Sequence, residues 1–302
     1  MQVGAGLAAR LFSQAGPAGV AGLRLWWAAA FMAALGGRSV VRTLRRVAAD
    51  RSWRDLGVAV AFGIALGLMN FSIYQSFARI PLGVAVTIEF LGPLGVAVAS
   101  SRRLLDGLWV LLAAGGVVLL TEGNVQLPSL LGARQAGPLP GLSTTATGIA
   151  FGLLAAACWA AYILLSRATG RRFTGSAGLA IAMVVAAILV TGPAIATATP
   201  ALTRPSVVAV GLAVGLLSSV VPYRAELEAL RRVPAGLFGI WMSLEPAVAA
   251  VVGLVLLGEA LAVRQWLAIA AVVAACAGAA WPGVSRASGT GLPGGELPPP
   301  AS

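Results

Sequence analysis

Apolar residues in this chain come in runs too long for the core of a soluble domain. With a window of about 20 residues, the apolar stretches are 17–36, 56–78, 80–101, 104–121, 147–166, 177–198, 205–223, 233–258 and 265–285. A helix of that length rises about 30 Å, the thickness of a bilayer's hydrocarbon layer. Nine stretches are therefore candidate spans. The segment 104–121 is the weakest, because Asp106 trims its clean core to 15 residues. Most of the runs are rich in Gly and Ala, which let helices approach closely in lipid. The expected fold class is all-α and transmembrane.

The chain ends follow a different pattern. Residues 1–14 (MQVGAGLAARLFSQ) are mildly apolar, but as a helix they rise only about 20 Å against about 30 Å of hydrocarbon. They lack the basic n-region and clean h-region of a signal peptide. They are expected to be the outer half of a first helix whose inner half is missing, giving a ten-helix bundle truncated at its N-terminus. Residues 123–146 are rich in Gly, Pro and Thr and are expected to form an extracytoplasmic connector between halves rather than a lid. The tail 283–302 is rich in Gly, Pro and Ser, cannot bury a core and is expected to be disordered.

Composition agrees with a lipid-solvated chain. Of 302 residues 59% are hydrophobic and 10% charged, too few charges to coat a water-facing surface. All 21 basic residues are Arg, and there is no His, which removes the commonest metal ligand and general base. Cys158 and Cys276 stand alone in apolar runs and lack CxxC spacing. No metal site, disulfide framework or cofactor is expected. The net charge of +11 does not signal nucleic-acid binding, because the arginines sit between the apolar runs. Fourteen of them occupy alternate loops, from Arg38 through Arg102 and Arg171 to Arg286, whereas the opposite loops hold only Arg79, Arg134, Arg204 and Arg264. By the positive-inside rule the richer set and the C-terminus are cytoplasmic. A multi-pass protein of a bacterial cytoplasmic membrane is expected.

An internal repeat appears at an offset of 153 residues: Arg79-Ile80-Pro81-Leu82-Gly83 falls on Arg232-Val233-Pro234-Ala235-Gly236, Pro93 on Pro246, and Asp106 on Glu259. The expected organisation is a first repeat over 1–122, the connector 123–146, a second repeat over 147–282 and the tail. Five helices per repeat is an odd number, so the second copy enters the membrane inverted. Such repeats belong to secondary transporters, with the substrate site at their interface near the midplane.

Two carboxylates fall at that depth. Glu89 lies eight residues past Pro81 and Glu245 eleven past Pro234, about 12 and 16 Å along a helix. An ionisable group there costs at least about 2.5 kcal/mol, so it normally faces a cavity and marks a substrate or proton path. A structural hydrogen bond to a neighbouring helix is the plainer use of either. A carboxyl held away from water can take up and release a proton near neutral pH. The prolines that follow each Glu free backbone carbonyls toward the same cavity. Arg24 can pair with a substrate carboxylate or with Glu89, or snorkel to the interface. Glu228 is spaced i,i+4 from Arg224 and Arg232 and reads as part of a surface cluster, which singles out Glu226. Asp106 and Glu259 are expected to cap the helices they begin. Asn70, Tyr74, Gln75, Trp159, Tyr162, Tyr223 and Trp241 could line a pocket for an amphipathic solute, although helix packing uses the same residue types.

The residues Ile88-Glu89-Phe90-Leu91-Gly92-Pro93-Leu94 with Ser101-Arg102-Arg103, and the block Pro222-Tyr223, Glu226, Arg232-x-Pro234, Ser243-Leu244-Glu245-Pro246-Ala247 and Leu257-Gly258-Glu259, resemble the EamA family of the drug/metabolite transporter superfamily. Within it the sequence is most similar to bacterial threonine/homoserine exporters. The resemblance runs from about residue 3 to 282. It implies ten helices in two inverted repeats, export of small polar metabolites and coupling to protons, and places Glu89, Tyr223, Glu226 and Glu245 at family-typical positions. The expected function is export of amino-acid-like metabolites by proton antiport with alternating access. Expected partners are a small-molecule substrate, protons and the bilayer, without nucleic acid and with a homodimer left open. A drug or sugar-phosphate carrier is the nearest rival, but a phosphate would need more deep basic residues than Arg24. A membrane enzyme would need a nucleophile, His or metal constellation, and a non-transporting membrane protein has no use for two midplane carboxylates.

Overall fold

The computed structural model describes residues 1–49, 52–99, 105–121, 144–173, 177–197, 204–220 and 240–289, and all regular elements among them are helices. The helices are α1 (Gln2–Arg10), α2 (Phe12–Ala49), α3 (Trp53–Phe77), α4 (Leu82–Glu89), α5 (Leu91–Ala99), α6 (Leu105–Thr121), α7 (Thr144–Arg172), α8 (Ala177–Ala196), α9 (Pro205–Gly215), α10 (Glu245–Val252) and α11 (Val263–Gly289). Both α9 and α10 run on into a π-helical turn, Leu216–Val220 and Gly253–Leu257. Among the described residues six stretches are long and apolar enough to cross a bilayer: Trp53–Phe77, Leu82–Ala99, Thr144–Arg172, Ala177–Ala196, Ile240–Leu257 and Val263–Trp281. The stretch 104–121 becomes α6, whose apolar part Gly107–Leu119 is shorter.

Local sequence explains the interruptions. Within α2 the backbone kinks at Gly16, with φ 65° and ψ 158°, a conformation only glycine adopts cheaply. Pro17 then supplies the fixed φ that starts the next helical stretch. The span Leu82–Ala99 is broken at Phe90 into α4 and α5. Pro93 lacks the N–H that the Glu89 carbonyl would otherwise accept. The π-turn after α10 stops at Gly258, which is left-handed at φ 72°.

Packing places the two carboxylate-bearing helices together. Helix α4 lies on α10, α6 on α11, and α3 on both α7 and α8, while α2 contacts α8 and α9. One core cluster holds Leu66, Tyr74, Val84, Ile88 and Met183; another holds Leu82, Val86, Phe90, Ala249 and Val272. Two glycines permit the closest approaches. A Cβ on Gly83 would lie 2.6 Å from the Ala250 Cβ, and one on Gly92 would lie 2.2 Å from the Ala156 carbonyl oxygen. The outside remains apolar: Leu111, Ile195 and Val255 are each about 70% exposed. A soluble protein would aggregate through such a surface, whereas lipid solvates it.

Glu259 departs from expectation. Rather than capping its own helix, its Oε2 accepts a 2.8 Å hydrogen bond from the Leu82 N–H at the start of α4. The start of α11 is served by Gln265, whose Oε1 accepts from the Ala262 N–H at 2.8 Å. Gly258 turns the chain in the left-handed region just before Glu259, and the carboxylate reaches the open N-terminus of a neighbouring helix, which has the same need for an acceptor. Partial burial raises the Glu259 pKa, and the bond from Leu82 opposes that shift.

Candidate functional site

A cavity of about 130 Å³ opens between α1, α2, α3, α4, α7 and the segment entering α10. Its polar lining is Gln2, Arg24, Asn70, Glu89, Trp159, Tyr162, Ser218 and Glu245, and its apolar lining includes Met69, Ile73, Phe77, Val86 and Met242. Six of the side chains singled out in the sequence thus converge: Arg24, Asn70, Glu89, Trp159, Tyr162 and Glu245.

Each is placed by a local irregularity. Glu89 is the last residue of α4, at the break before Phe90. Glu245 opens α10 immediately after the turn at Ser243 and Leu244. The two prolines remove the donors that the Glu89 and Met242 carbonyls would otherwise use, and both those residues line the cavity. Glu89 lies within electrostatic reach of Glu245 and of Arg24, and Glu245 is hydrogen-bonded to the side chain of Gln2. Phe90 meets the Trp159 ring edge to face at 4.9 Å and 84°, which fixes the indole beside the break.

Arg24 points inward rather than snorkelling. Its Nη1 donates to the Tyr74 hydroxyl at 3.3 Å and its Nη2 to the Ser218 carbonyl at 3.1 Å. Its guanidinium also lies 5.7 Å from the centre of the Tyr74 ring. Tyr74 is fully buried and does not line the cavity; it stands behind Arg24 and orients it. Ser218 lies in the π-turn after α9, the kind of irregularity that turns a carbonyl away from the helical ladder. Asn70 donates from Nδ2 to the Leu66 carbonyl at 2.8 Å, which anchors the amide on the cavity wall.

Other expectations resolve differently. Gln75 is buried on the far side of the helix and accepts from Arg79 Nη1 at 2.7 Å. Trp241 faces outward, 57% exposed. Tyr223 and Glu226 lie outside the described residues, as does the repeat signature Arg232–Gly236. Sequence reasoning missed Ser218 and Gln2. The only signal for Ser218 was the hydroxyl pair Ser218-Ser219 in an apolar run, and its contribution is a backbone oxygen. The apolar lining carries no sequence signal that separates it from core.

Comparison with known proteins identifies the family. Residues 146–281 match the model of the EamA-like transporter family. The chain is 41% identical over 284 residues to the threonine/homoserine exporter RhtA of Escherichia coli K12, covering 92% of this chain and 86% of that protein. It is 40% identical over the same length to the RhtA of Salmonella typhimurium SL1344. One crystal structure aligns with a TM-score of 0.54 at 19% identity, covering 94% of this chain and 97% of the other, and supports the helical fold alone. Likeness to named exporters over most of both chains, together with the long apolar helices, shows the family: this chain is a multi-pass membrane transporter of the EamA-like transporter family, not an enzyme.

Proposed function

We propose that this protein exports small hydroxylated amino acids of the threonine and homoserine kind from the bacterial cytoplasm, exchanging them for protons. The observation that carries the reading is the meeting of Arg24 with Glu89 and Glu245 around one small cavity. An inward guanidinium suits a substrate carboxylate, the carboxylates suit an ammonium group, and Asn70 and Tyr162 are within the same walls for a hydroxyl. Likeness to exporters named for threonine and homoserine supports the substrate class. Two carboxylates facing one cavity at membrane depth also supply groups that can trade a proton for a substrate ammonium.

Ten helices in two inverted halves are the architecture behind this function. Support comes from how the helices pair when each element of the first half is exchanged for its counterpart in the second. Contact of α3 with α8 corresponds to contact of α9 with α2, and contact of α4 with α7 to contact of α10 with α1; all four occur. The pairs α2 with α8, α4 with α10 and α6 with α11 map onto themselves and also occur. Rocking of one half against the other about these self-paired contacts gives alternating access. The arginine bias sets the C-terminus inside, so the Leu82 end of α4 faces outward.

In proteoliposomes with an imposed pH gradient, the wild-type protein drives labelled threonine or homoserine against its gradient, and Glu89→Gln loses that accumulation. Unchanged rates and pH dependence in Glu89→Gln would refute the proton role. The apolar lining from Met69, Ile73, Phe77 and Met242 favours a second reading, a carrier of apolar drugs; proton-driven transport of apolar cations by proteoliposomes that accept no amino acid would support it.

A further inference from the structure

A second cavity, of about 160 Å³, lies toward the other end of α7, where that helix meets α3 and α8. Its walls include Phe62, Tyr162, Ser166, Thr169 and Phe173. Tyr162 lines both cavities. Trp159, Tyr162, Ser166 and Thr169 follow one another at intervals of three or four residues, so they form a single stripe along α7. That stripe runs from the central cavity to the end of the helix bearing Arg171 and Arg172. The Tyr162 ring is held against Phe62 at 5.1 Å between ring centres, and the residue borders both spaces.

The second cavity contains an unmet need. Thr169, one of the lining residues, is 4% exposed, and its Oγ1 is buried without a hydrogen-bond partner. Leaving a buried hydroxyl unpaired costs about 1–3 kcal/mol, a cost that a polar partner would remove. Ser166 gives its own proton to the Ile163 carbonyl at 3.0 Å, which leaves its oxygen with the capacity to accept. The volume is many times what one water requires, about 10–15 Å³. At the same end of α7, Arg172 Nε pairs with Asp55 at 3.0 Å, each side chain more than a third exposed.

We propose that this cavity is a cytoplasm-side binding station for the transported hydroxylated amino acid, with Tyr162 as the partition it passes to reach Arg24 and Glu89. The proposal rests on the exporter reading and the arginine-based orientation above. Thr169 and Ser166 receive the substrate's polar groups, and Phe62 and Phe173 bound its apolar part.

Two single-cysteine proteins, Ser166→Cys and Asn70→Cys, each with Cys158→Ala and Cys276→Ala, are reacted in membranes with a small methanethiosulfonate. Threonine is expected to slow labelling at both positions severalfold, with Ser166→Cys reached from the cytoplasmic face. Protection at Asn70→Cys alone overturns the second station and leaves the exporter reading intact. Protection at neither position overturns both. A second variant guards against misfolding: Thr169→Val keeps the shape and removes only the unpaired hydroxyl. It is expected to raise the KM for threonine presented from the cytoplasmic side about threefold and to leave the KM from the opposite side unchanged. An unchanged KM on both sides, or an equal rise on both, overturns the proposal.

Discussion

Glu259 links the protonation of one side chain to the placement of another helix. Its Oε2 accepts from the Leu82 N–H, while partial burial pushes its pKa above the ordinary 4.5. An acid whose pKa is higher folded than unfolded stabilises the fold most at low pH, and that contribution is lost as pH rises from the ordinary carboxyl value through the raised one. Thermal unfolding in detergent should therefore show the melting temperature of wild type falling relative to Glu259→Gln across that window, because Gln keeps an acceptor for Leu82 but does not titrate. A constant difference would dissociate Glu259 from the effect. Arg24 gives a second test. Lysine retains the charge but not the fork that reaches both Tyr74 and Ser218. Losing one bond to a charged group costs about 1.5 kcal/mol, so Arg24→Lys should raise the transport KM about tenfold, measured from the concentration dependence of uptake. At this scale the sequence was legible where a charge stood in an apolar run, as with Glu89, Glu245 and Arg24. It was silent on Ser218, because a backbone carbonyl looks the same in every residue, and it misdirected Glu259, because helix capping was sought within one helix.

Elements were legible from the same apolar runs, and their contacts were not. The break in the span Leu82–Ala99 follows from Pro93, and the kink in α2 from Gly16. Which helix lies on which depends on small residues whose role shows only in three dimensions. Gly83 and Gly92 are surrounded by atoms at 2.6 and 2.2 Å from an added Cβ, whereas a Cβ on Gly95 meets nothing within 4 Å. The three glycines lie in one span with equal helix propensities, so packing alone distinguishes them. Gly83→Ala and Gly92→Ala should reduce thermal stability and folded yield, since α10 and the α7 backbone must move. Gly95→Ala should be neutral or stabilise by about 0.5–1 kcal/mol, the usual gain of alanine over glycine in a helix. Equal effects at all three positions would show that the close crossings are not where the fold is most sensitive.

The whole molecule joins these contacts to the proposed transport cycle. At the Leu82 end of α4 three features of the two halves coincide: the hydrogen bond from Leu82 to Glu259, the approach of Gly83 to Ala250, and the 3.4 Å between the Leu82 Cβ and a Cβ built on Gly253. Helix α4 packs on α10 here, so these two helices are joined at the outward end in the proposed orientation. The cavity beside Thr169 lies toward the opposite end of the bundle. The proposed inverted repeat rests on an offset of 153 residues in the sequence, but the contact between α4 and α10 at this end joins positions 171 apart in the chain, Leu82 with Gly253, for which the repeat offset gives no register. If opening this end is an obligatory step, tying it shut must stop transport without damaging the site. A Leu82→Cys, Gly253→Cys pair sits close to the 3.5–4.5 Å between Cβ atoms that a disulfide spans, and the flexible end of Glu259 is the atom that must give way. In proteoliposomes the oxidised pair should bind threonine yet fail to exchange it across the membrane, with exchange restored on reduction; a fully cross-linked protein that still exchanges at the reduced rate would mean that α4 and α10 never part at this end.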